Sequence, residues 1–338
     1  MNIWIRSWAT AACLAFALGC TDKGEKPAKR RIFSPEDPPK VVASALEKLE
    51  ADKLDSNPTS ARRVLQMGAA ETTERIGPYQ FKASTRFHWT AGSKAIQLSE
   101  NRVLIAGPGG VNGDFQGQIE NSEDQGLEVV RVGSAVYARN RYGKFRQRQR
   151  DRGMAERERE EIFGALRGYD ALFLGRLKLT ASGATKYHGR PAWKYTVGLA
   201  PESNRIEQVG QLPPLPFPKG GVDPGTARRS AFWDERQPKS LKGEITVDEK
   251  TAVVLQARLD GRMIVPPARG NPGAELQLAL DSALADIGVD PALKPPKDSL
   301  PDADKPLGIA AALDRFGIHR GGRGADGGVV EEEEEEER

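Results

Sequence analysis

The residue types that could carry catalytic or metal chemistry are sparse in this sequence of 338 residues. Its three histidines fall on the polar face of a predicted strand (His88), in a YHGRP turn (His188) and in the C-terminal segment (His319). No HExxH or CxxC sequence offers metal-ligand spacing, and no GxSxG sequence offers a nucleophile elbow. Acid–base and nucleophilic catalysis both need a positioned base, and no residue is indicated for that role. We therefore predict a protein that is not an enzyme and that uses no metal or cofactor.

Two further features argue against phosphate or nucleic-acid chemistry. The glycine-rich stretch AGPGGVNGDF lacks the Lys-Ser/Thr pair of a phosphate-binding loop, so a connection between hairpin strands is the better interpretation. The formal net charge of +3 is close to balance and gives no reason to expect nucleic acid as a partner.

Both cysteines lie within the first twenty residues, and the second of them, Cys20, ends an apolar run. A positive charge at Arg6 precedes this run, which spans residues 8–18, and small residues flank its end. The run has the length of a signal-peptide core and is short of the ~20 residues that a membrane-spanning helix needs. This arrangement resembles the lipobox of bacterial lipoproteins. The resemblance implies that residues 1–20 are a signal peptide and that the Cys20 thiol carries acyl chains such as palmitate after cleavage.

The residue that follows Cys20 indicates a location in the cell. It is Thr21 and not Asp, which resembles the outer-membrane default of lipoproteins in cells with two membranes. The expected location is therefore the cell envelope, on the outer membrane and facing the periplasm. An ordinary secretory signal with an incidental cysteine and an uncleaved apolar anchor are the alternatives. Removal of Cys13 with the signal would leave no second thiol, so no internal disulfide is expected.

The remainder of the chain is predicted to consist of a polar tether, an amphipathic helix, a strand-rich domain with a proline-rich insertion, and a low-complexity acidic tail. Their predicted limits are 21–38, 39–57, 58–300 with the insertion at 201–241, and 301–338. The tether and the tail have almost nothing to bury, so both are predicted to be disordered. The insertion contains LPPLPFPKGG, which favours neither helix nor strand.

The strand-rich domain is recognised by a two-residue rhythm that begins at Tyr79. In YQFKASTRFHW apolar residues alternate with polar ones, as in a strand with one buried face. Further strands are predicted in DFQGQIEN, GLEVVRVG, SAVYARN, GKFRQRQR, RLKLTAS, AWKYTVGLA, GEITVDE, TAVVLQARLDGRMIV and ELQLALDSAL. The last segment has the composition of a helix, but its leucines alternate and favour a strand. Two helices are predicted within this domain, in NPTSARRVLQMGAAETTERIG and in DRGMAEREREEIFGALRGYDALFLG.

These elements predict an α+β fold built on one large curved antiparallel sheet. Because strands alternate apolar and polar residues, one face of the sheet is expected to be wet and the other covered. A sheet of this many strands must twist and curl. With few helices to cover its apolar side, it is expected to form an unclosed half-barrel with a groove.

The order of a lipobox, a short helix, long antiparallel strands, a central helix and more strands resembles the superfamily of LolA, LolB and LppX lipoproteins. The segments that carry the resemblance span residues 58–297 and include GDFQGQIEN, YHGRPAWKYTV and ELQLALDSALADIGVDPALKPP. The resemblance implies helices on the concave side of a half-barrel and an apolar cavity that takes acyl chains. The expected partner is then a lipid or the acyl chains of another lipoprotein. The residues considered as groove-lining, although each is first of all a core residue, are Phe81, Phe87, Trp89, Phe115, Tyr137 and Trp193.

Two interpretations remain open from the sequence. In the first, the half-barrel holds an apolar ligand and hands it over without breaking a bond. In the second, helices and insertion fill the groove, and an envelope protein is the partner.

Four basic residues alternate in KFRQRQR, from Lys144 to Arg150. They are either a solvated edge paired with Glu156–Glu161 or a contact for anionic headgroups or an acidic partner.

The lipid anchor is testable through one thiol. Cys20→Ala is expected to release the protein from the membrane, because the acylation site is lost, and fractionation of cell membranes measures this. Cys13→Ala changes the other cysteine inside the signal and should leave anchoring intact. Membrane-bound protein in the absence of Cys20 would contradict the anchor.

Overall fold

A computed structural model of the protein describes residues 46–148, 151–201, 232, 235–267 and 273–301. Cys20, the tether, the first part of the predicted 39–57 helix, most of the insertion and the acidic tail lie outside these residues. The chain divides into two units, Met1–Lys48 and Leu49–Arg338. Of the first unit only residues 46–48 are described, and they form neither helix nor strand. The fold that follows is that of the second unit.

Four α-helices and one short 3-10 helix are present among the described residues. They are α1 (Pro58–Leu65), α2 (Ala69–Ile76), the 3-10 turn Gly110–Asn112, α3 (Met154–Phe163) and α4 (Ala165–Leu172). Helix α1 begins where the sequence indicates, because the side chain of Asn57 accepts a hydrogen bond from the backbone N–H of Ser60 and Pro58 occupies the first turn.

Each of the two helices predicted in the strand-rich domain is in fact a pair of helices. The first is interrupted before Ala69 by Gly68, whose backbone is extended. The carboxylate of Glu160 accepts from the backbone N–H of Ala70 and so caps α2 from another helix. The second is interrupted at Gly164, which ends α3 and caps α4. The long-range contact from Glu160 is a tertiary effect that local helix propensity does not include.

The described part of the predicted 39–57 helix is not helical. Residues 46–57 form turns and irregular backbone up to the start of α1. Leu49 and Leu54 are buried in the core, and the backbone carbonyl of Ala51 accepts a hydrogen bond from the hydroxyl of Tyr195 on a strand. Tertiary contacts therefore take the apolar residues that would have formed one face of a helix.

Eleven strands form one sheet in the order β6-β5-β4-β3-β2-β1-β11-β10-β9-β8-β7. The strands are β1 (Tyr79–Ala91), β2 (Lys94–Ala106), β3 (Phe115–Asn121), β4 (Gly126–Val132), β5 (Ala135–Asn140), β6 (Arg146–Arg148), β7 (Leu177–Tyr187), β8 (Arg190–Leu199), β9 (Gln237–Asp248), β10 (Val254–Val265) and β11 (Ala274–Ala285). Every pairing between them is antiparallel, and β1 pairs with the last strand, β11. Strands β6 and β7 are the two edges, so the sheet does not close. The predicted α+β half-barrel is confirmed.

Three strand assignments differ from the sequence prediction. Strand β2 was not predicted, because KAIQLSENRVLIA places Glu100 and Arg102 among its alternating apolar residues. These two side chains form an ion pair of 2.7 Å on the face that the helices cover. Strand β9 begins at Gln237, so the last residues of the predicted 201–241 insertion belong to the sheet. In GKFRQRQR only Arg146–Arg148 are strand among the described residues. The leucine-rich segment ELQLALDSAL is strand β11, as predicted.

The helices cover the apolar face of the sheet, and two glycines let them approach closely. A methyl group on Gly117 of β3 would collide with Ile162 of α3. A methyl group on Gly261 of β10 would collide with the ring of Phe173, which follows α4, and with the hydroxyl of Tyr169. The absence of a side chain at these two positions therefore sets the distance between sheet and helices.

The close approach at Gly261 generates a stability prediction. Gly261→Ala should lower the free energy of unfolding by about 1–3 kcal/mol, because the added methyl overpacks the interface. Gly198→Ala on β8 is the matched control, since nothing lies within 4 Å of the added methyl. The control should change the stability by less than about 0.5 kcal/mol. Urea denaturation measures both, and equal effects would refute the role assigned to Gly261.

Candidate functional site

Five of the six predicted groove residues share the apolar face. The register of β1 with β2 and β11 places Phe81, Phe87 and Trp89 on the side of the helices, and the register of the outer strands places Phe115 and Trp193 there as well. Tyr137 does not join them. Its neighbour Ala138 pairs with Val129 of the apolar face, so Tyr137 lies on the opposite face of the sheet, next to Val130. Because successive side chains of a strand alternate between faces, a shift of one residue in the pairing of β5 would have placed Tyr137 on the apolar face.

Helices fill the middle of the apolar face. The ring of Phe163, at the end of α3, lies 4.9 Å from that of Phe81 and 5.7 Å from that of Tyr79. The cavity between helices and sheet beside Phe81 measures about 30 Å³. Sites for small ligands are about 300–1,000 Å³, so no acyl chain fits in this part of the interior while the helices stay in place. Phe115 is wholly buried beneath α3, and Trp193 lies on β8, four strands from β1.

A buried arginine fastens α3 to the sheet. The Arg159 side chain is 1 % exposed, donates to the carbonyls of Gly110 and Val111, and forms an ion pair of 2.7 Å with Glu156. Its guanidinium also lies 5.6 Å from the ring centre of Phe115. A buried charge with this many partners strongly resists displacement of the helix, because lifting it would leave the partners unpaired.

A second polar contact fastens α4 to the sheet. The hydroxyl of Tyr169 donates to the carbonyl of Leu278 at 3.3 Å. Burial raises the pKa of the Tyr169 hydroxyl, so it remains a neutral donor at physiological pH. The same helix stacks the ring of Tyr169 on that of Phe173 at 4.9 Å.

Asp170 of α4 is a buried carboxylate in the layer of helices that covers the apolar face of the sheet. Its side chain is fully buried, pairs with the guanidinium of Arg62 of α1, and accepts from Gln66 at 2.8 Å. Burial raises the pKa of the Asp170 carboxyl, and the charge of Arg62 and the hydrogen bond from Gln66 only partly oppose this. The pair joins α1 to α4 across about a hundred residues of sequence, which is why no local pattern indicated it.

Beyond the helices, the apolar face continues to an end that is only partly covered. Phe87 and Trp89 are half-buried, and Ile96, which pairs with Trp89 on β2, is 59 % exposed. The ring of Phe232, at the end of the insertion, packs edge-on against Trp89 at 5.4 Å. We call Phe87, Trp89, Ile96 and Phe232 the apolar mouth.

The end of the insertion is tied to α4. The buried Arg236 donates to the carbonyls of Leu172 and Ala171 at 3.0 and 3.1 Å, at the C-terminal end of that helix. These carbonyls have no partner within the helix, and a cation is favoured near them. The backbone N–H of Arg236 also donates to the carbonyl of Phe232 at 3.1 Å, which links Phe232 to the residue that contacts α4.

A larger cavity, of about 810 Å³, lies on the opposite, polar face of the sheet. Its floor crosses β2, β1, β11, β10 and β9, and small Ala279 lies near its centre. A twisted sheet is saddle-shaped, so a face that carries no helices can still be concave. Ten of the residues that border it are polar or charged, and they are Arg86, His88, Gln97, Ser99, Ser122, Ser240, Lys242, Asp260, Arg262 and Gln277. The apolar residues Phe87, Leu98, Leu241 and Leu278 border it as well. The polar positions were expected on a solvated face, and the sequence indicated no concavity there.

Two further findings concern metals and membranes. The described part of the chain holds no group of three or more His, Cys, Asp or Glu side chains placed to bind a metal ion. Of the helices described, none has the length and apolar character needed to cross a bilayer.

No protein-family model and no curated protein sequence matches the chain. Solved structures similar to it include LprF from Mycobacterium bovis, with 15 % identity over 71 % of this chain and 97 % of that one and a TM-score of 0.29. A LolA superfamily protein from Nitrosomonas europaea matches with 10 % identity over 67 % of this chain and 94 % of that one, at a TM-score of 0.18. The MucA/MucB complex of Pseudomonas aeruginosa matches with 13 % identity over 69 % of this chain and 57 % of that one, at a TM-score of 0.21. Each of these matches is a likeness to the chain at low sequence identity, and it assigns the chain neither a family nor a function.

The buried Asp170 generates a pH prediction. Because its pKa is higher in the folded than in the unfolded protein, the folded state binds the proton more readily, and this contribution to stability is lost as pH rises. This contribution to stability is fully present at pH values below the unfolded-state pKa of about 3.9, and it is lost at pH values above the raised folded-state pKa. Asp170→Asn should remove this component, so wild type should lose stability relative to the variant as pH increases.

Urea denaturation at a series of pH values from acid to neutral measures the difference between the two proteins. Gly198→Ala, which touches no ionisable group, serves as the reference. A wild type that gains stability relative to Asp170→Asn as pH rises would contradict the assigned direction.

Proposed function

We propose that the chain is a lipid-anchored envelope protein that binds an apolar chain without catalysing a reaction. The bound chain would belong to a lipid or to the acylated end of another lipoprotein. The observation that carries this proposal is the continuity of the apolar face. It runs along β1 from buried Phe81 through half-buried Phe87 and Trp89 to the exposed Ile96 on the neighbouring strand. Adjacent aromatic and aliphatic residues that are left partly uncovered are typical of a binding surface.

The energetics favour a ligand that displaces Phe232 at the apolar mouth. Each buried CH₂ contributes about 0.8 kcal/mol, so ten methylenes would contribute about 8 kcal/mol before the cost of ordering the chain. An aromatic pair such as Trp89 with Phe232 contributes about 0.5–1.5 kcal/mol beyond its buried area. The gain from a medium-length acyl chain therefore exceeds the loss of that contact. Release would follow when Phe232 returns, so hand-over needs no bond breaking.

Deeper binding would require α4 to shift. Arg236 links the insertion to α4, the helix that covers Gly261. Arg159 would resist displacement of α3, and the Tyr169 hydrogen bond and the Asp170–Arg62 pair would resist displacement of α4. We infer that the ligand lodges first at the apolar mouth, where displacement of Phe232 breaks none of these contacts.

The anchor completes the proposal. An acylated Cys20 would hold the domain on the outer membrane, facing the periplasm, through the 21–38 tether. Catalysis is not part of it. His88 contacts Gln97 at 3.1 Å and His188 lies in a turn, and neither is placed as a base beside a nucleophile in the described part of the chain.

A second candidate function is an interaction protein of the envelope whose interior stays filled. The observation in its favour is the 30 Å³ cavity beneath the helices, which leaves no room for a chain in the middle of the apolar face. In that case the binding partner would be a protein, and purified material would contain no lipid.

The two candidates are separated by lipid analysis. Protein purified gently from membranes is expected to contain extractable lipid beyond its own anchor, detected by mass spectrometry. Ile96→Glu should reduce this lipid by about tenfold or more, because a carboxylate in an apolar contact costs several kcal/mol unless it is paired. The variant should fold, since Ile96 is 59 % exposed.

Tyr142→Glu is the matched control, because it also replaces an exposed large side chain, 77 % accessible, by a carboxylate at a turn away from the apolar mouth. It should keep the lipid. Lipid-free wild type, or equal lipid in Ile96→Glu, would favour the filled-interior candidate instead.

A further inference from the structure

Four basic side chains on and next to the edge strand β6 have no partner within the described part of the chain. Lys144, Arg146, Arg148 and Arg152 are all exposed, and none makes a side-chain hydrogen bond or ion pair with any residue that the structure describes. Arg146 and Arg148 lie on the same face of β6, opposite Ala138 and Val136 of β5. We call these four residues the basic edge.

Three of the four glutamates among residues 156–161 are engaged elsewhere, and the fourth, Glu158, forms no ion pair within the described residues. Glu156 pairs with Arg159 at 2.7 Å, and Glu160 pairs with Arg167 at 2.9 Å. Glu161 faces Arg102. Lys144, Arg146 and Arg148 therefore form no ion pair with residues 156–161, one of the interpretations left open by the sequence, whereas Arg150 lies outside the described residues. Arg146 and Arg148 lie two residues apart on one face of β6, and like charges so placed repel one another, so an anionic occupant would be stabilising.

The C-terminal part of the chain starts from this edge. Leu300 forms a parallel bridge with Arg146, donating to the carbonyl of Phe145 and accepting from the backbone N–H of Gln147, each at 2.8 Å. The next described residue, Pro301, is the last before the segment that ends in seven consecutive glutamates, Glu331–Glu337. The strongest run of negative charge in the sequence is thus tethered beside the unpaired basic residues.

We propose that Glu331–Glu337 docks on the basic edge of the same chain. About 30 residues separate Pro301 from Glu331, and a random coil of that length has a root-mean-square span of about 30 Å, comparable to the width of half the sheet. At that length the tethered segment has an effective concentration in the millimolar range. Several exposed ion pairs then act together where a single one would contribute little. Docking shields β6 from other strands and from anionic surfaces, and it does not depend on any apolar ligand.

The test is zero-length crosslinking of the full chain in mild detergent. A carbodiimide joins a carboxylate to a lysine amine only when the two are in contact, and Lys144 is the lysine of the basic edge. Mass spectrometry is expected to find Lys144 linked to residues 331–337 at low salt. The yield should fall by about tenfold at 1 M NaCl, where the Debye length is about 3 Å.

Charge reversal at each edge of the sheet provides the matched variants. Arg146→Glu with Arg148→Glu should abolish the crosslink, whereas Lys178→Glu with Lys186→Glu, on exposed positions of the opposite edge strand β7, should preserve it. All four positions are exposed, and circular dichroism verifies folding. The proposal is overturned if the Lys144 crosslink is absent, if it survives reversal of the two arginines, or if the tail links equally to Lys178 or Lys186.

A competing occupant is tested with water-soluble dihexanoyl phosphatidylglycerol. Deletion of residues 331–338 should strengthen binding of this anionic lipid several-fold, because the tail no longer competes, and the arginine reversal should abolish it. Lipid that binds the basic edge equally with and without the tail would assign the edge to anionic headgroups and would overturn self-docking.

Discussion

The structure depends on covering one apolar face of an eleven-stranded sheet. Each Å² of that face left in water would cost about 25 cal/mol, so an uncovered sheet of this size would not be stable. The cover is assembled from distant parts of the chain: residues 49–57, four short helices, and the end of the insertion at Phe232. Glycines at positions 117 and 261 let the helices approach the strands. The hydrogen bonds of Arg159 and the Asp170–Arg62 pair satisfy part of the polar groups that this cover buries. Within the described residues, Arg159 Nε, Asp170 Oδ1 and Glu156 Oε2 are buried without a hydrogen-bond partner.

The elements that cover the apolar face are held to it by different numbers of contacts along the strands. In its middle, Phe163 seals against Phe81, and Arg159 fastens α3 through charged hydrogen bonds. Toward Trp89 the apolar face is covered by Phe232, whose element is held to α4 through Arg236. The region with the weakest cover is also the region with the most exposed apolar side chains. This coincidence makes the apolar mouth the place where a hydrophobic ligand would meet least resistance.

The remaining surfaces follow from the same arrangement. Because the helices occupy one face, the opposite face is free to curve, and polar side chains from five strands line its concavity. The sheet does not close, so it retains two edges that must be protected from other strands. Edge β7 carries a register shift near Gly183 and the charges of Lys178 and Lys186. Edge β6 carries the basic edge and is bordered by Leu300, where the chain continues toward its glutamates. Charge thus protects both edges, and at β6 the chain itself continues toward a run of opposite charge, Glu331–Glu337.

The sequence by itself determined the local periodicity: the strands β1 and β10, the leucine-rich β11 despite its helical composition, and the Asn57 cap. Alternation is a local property, so it can be read without knowing the fold. Only the tertiary structure decided what covers what. Each of two predicted helices is a pair of helices, and a contact from Glu160 caps α2. The end of the predicted 39–57 helix consists of turns, and β2 contains the Glu100–Arg102 ion pair. The tertiary structure also placed Tyr137 on the opposite face and closed the groove over Phe81. These outcomes depend on register and on contacts between residues far apart in the chain, and neither is encoded in any short stretch of sequence.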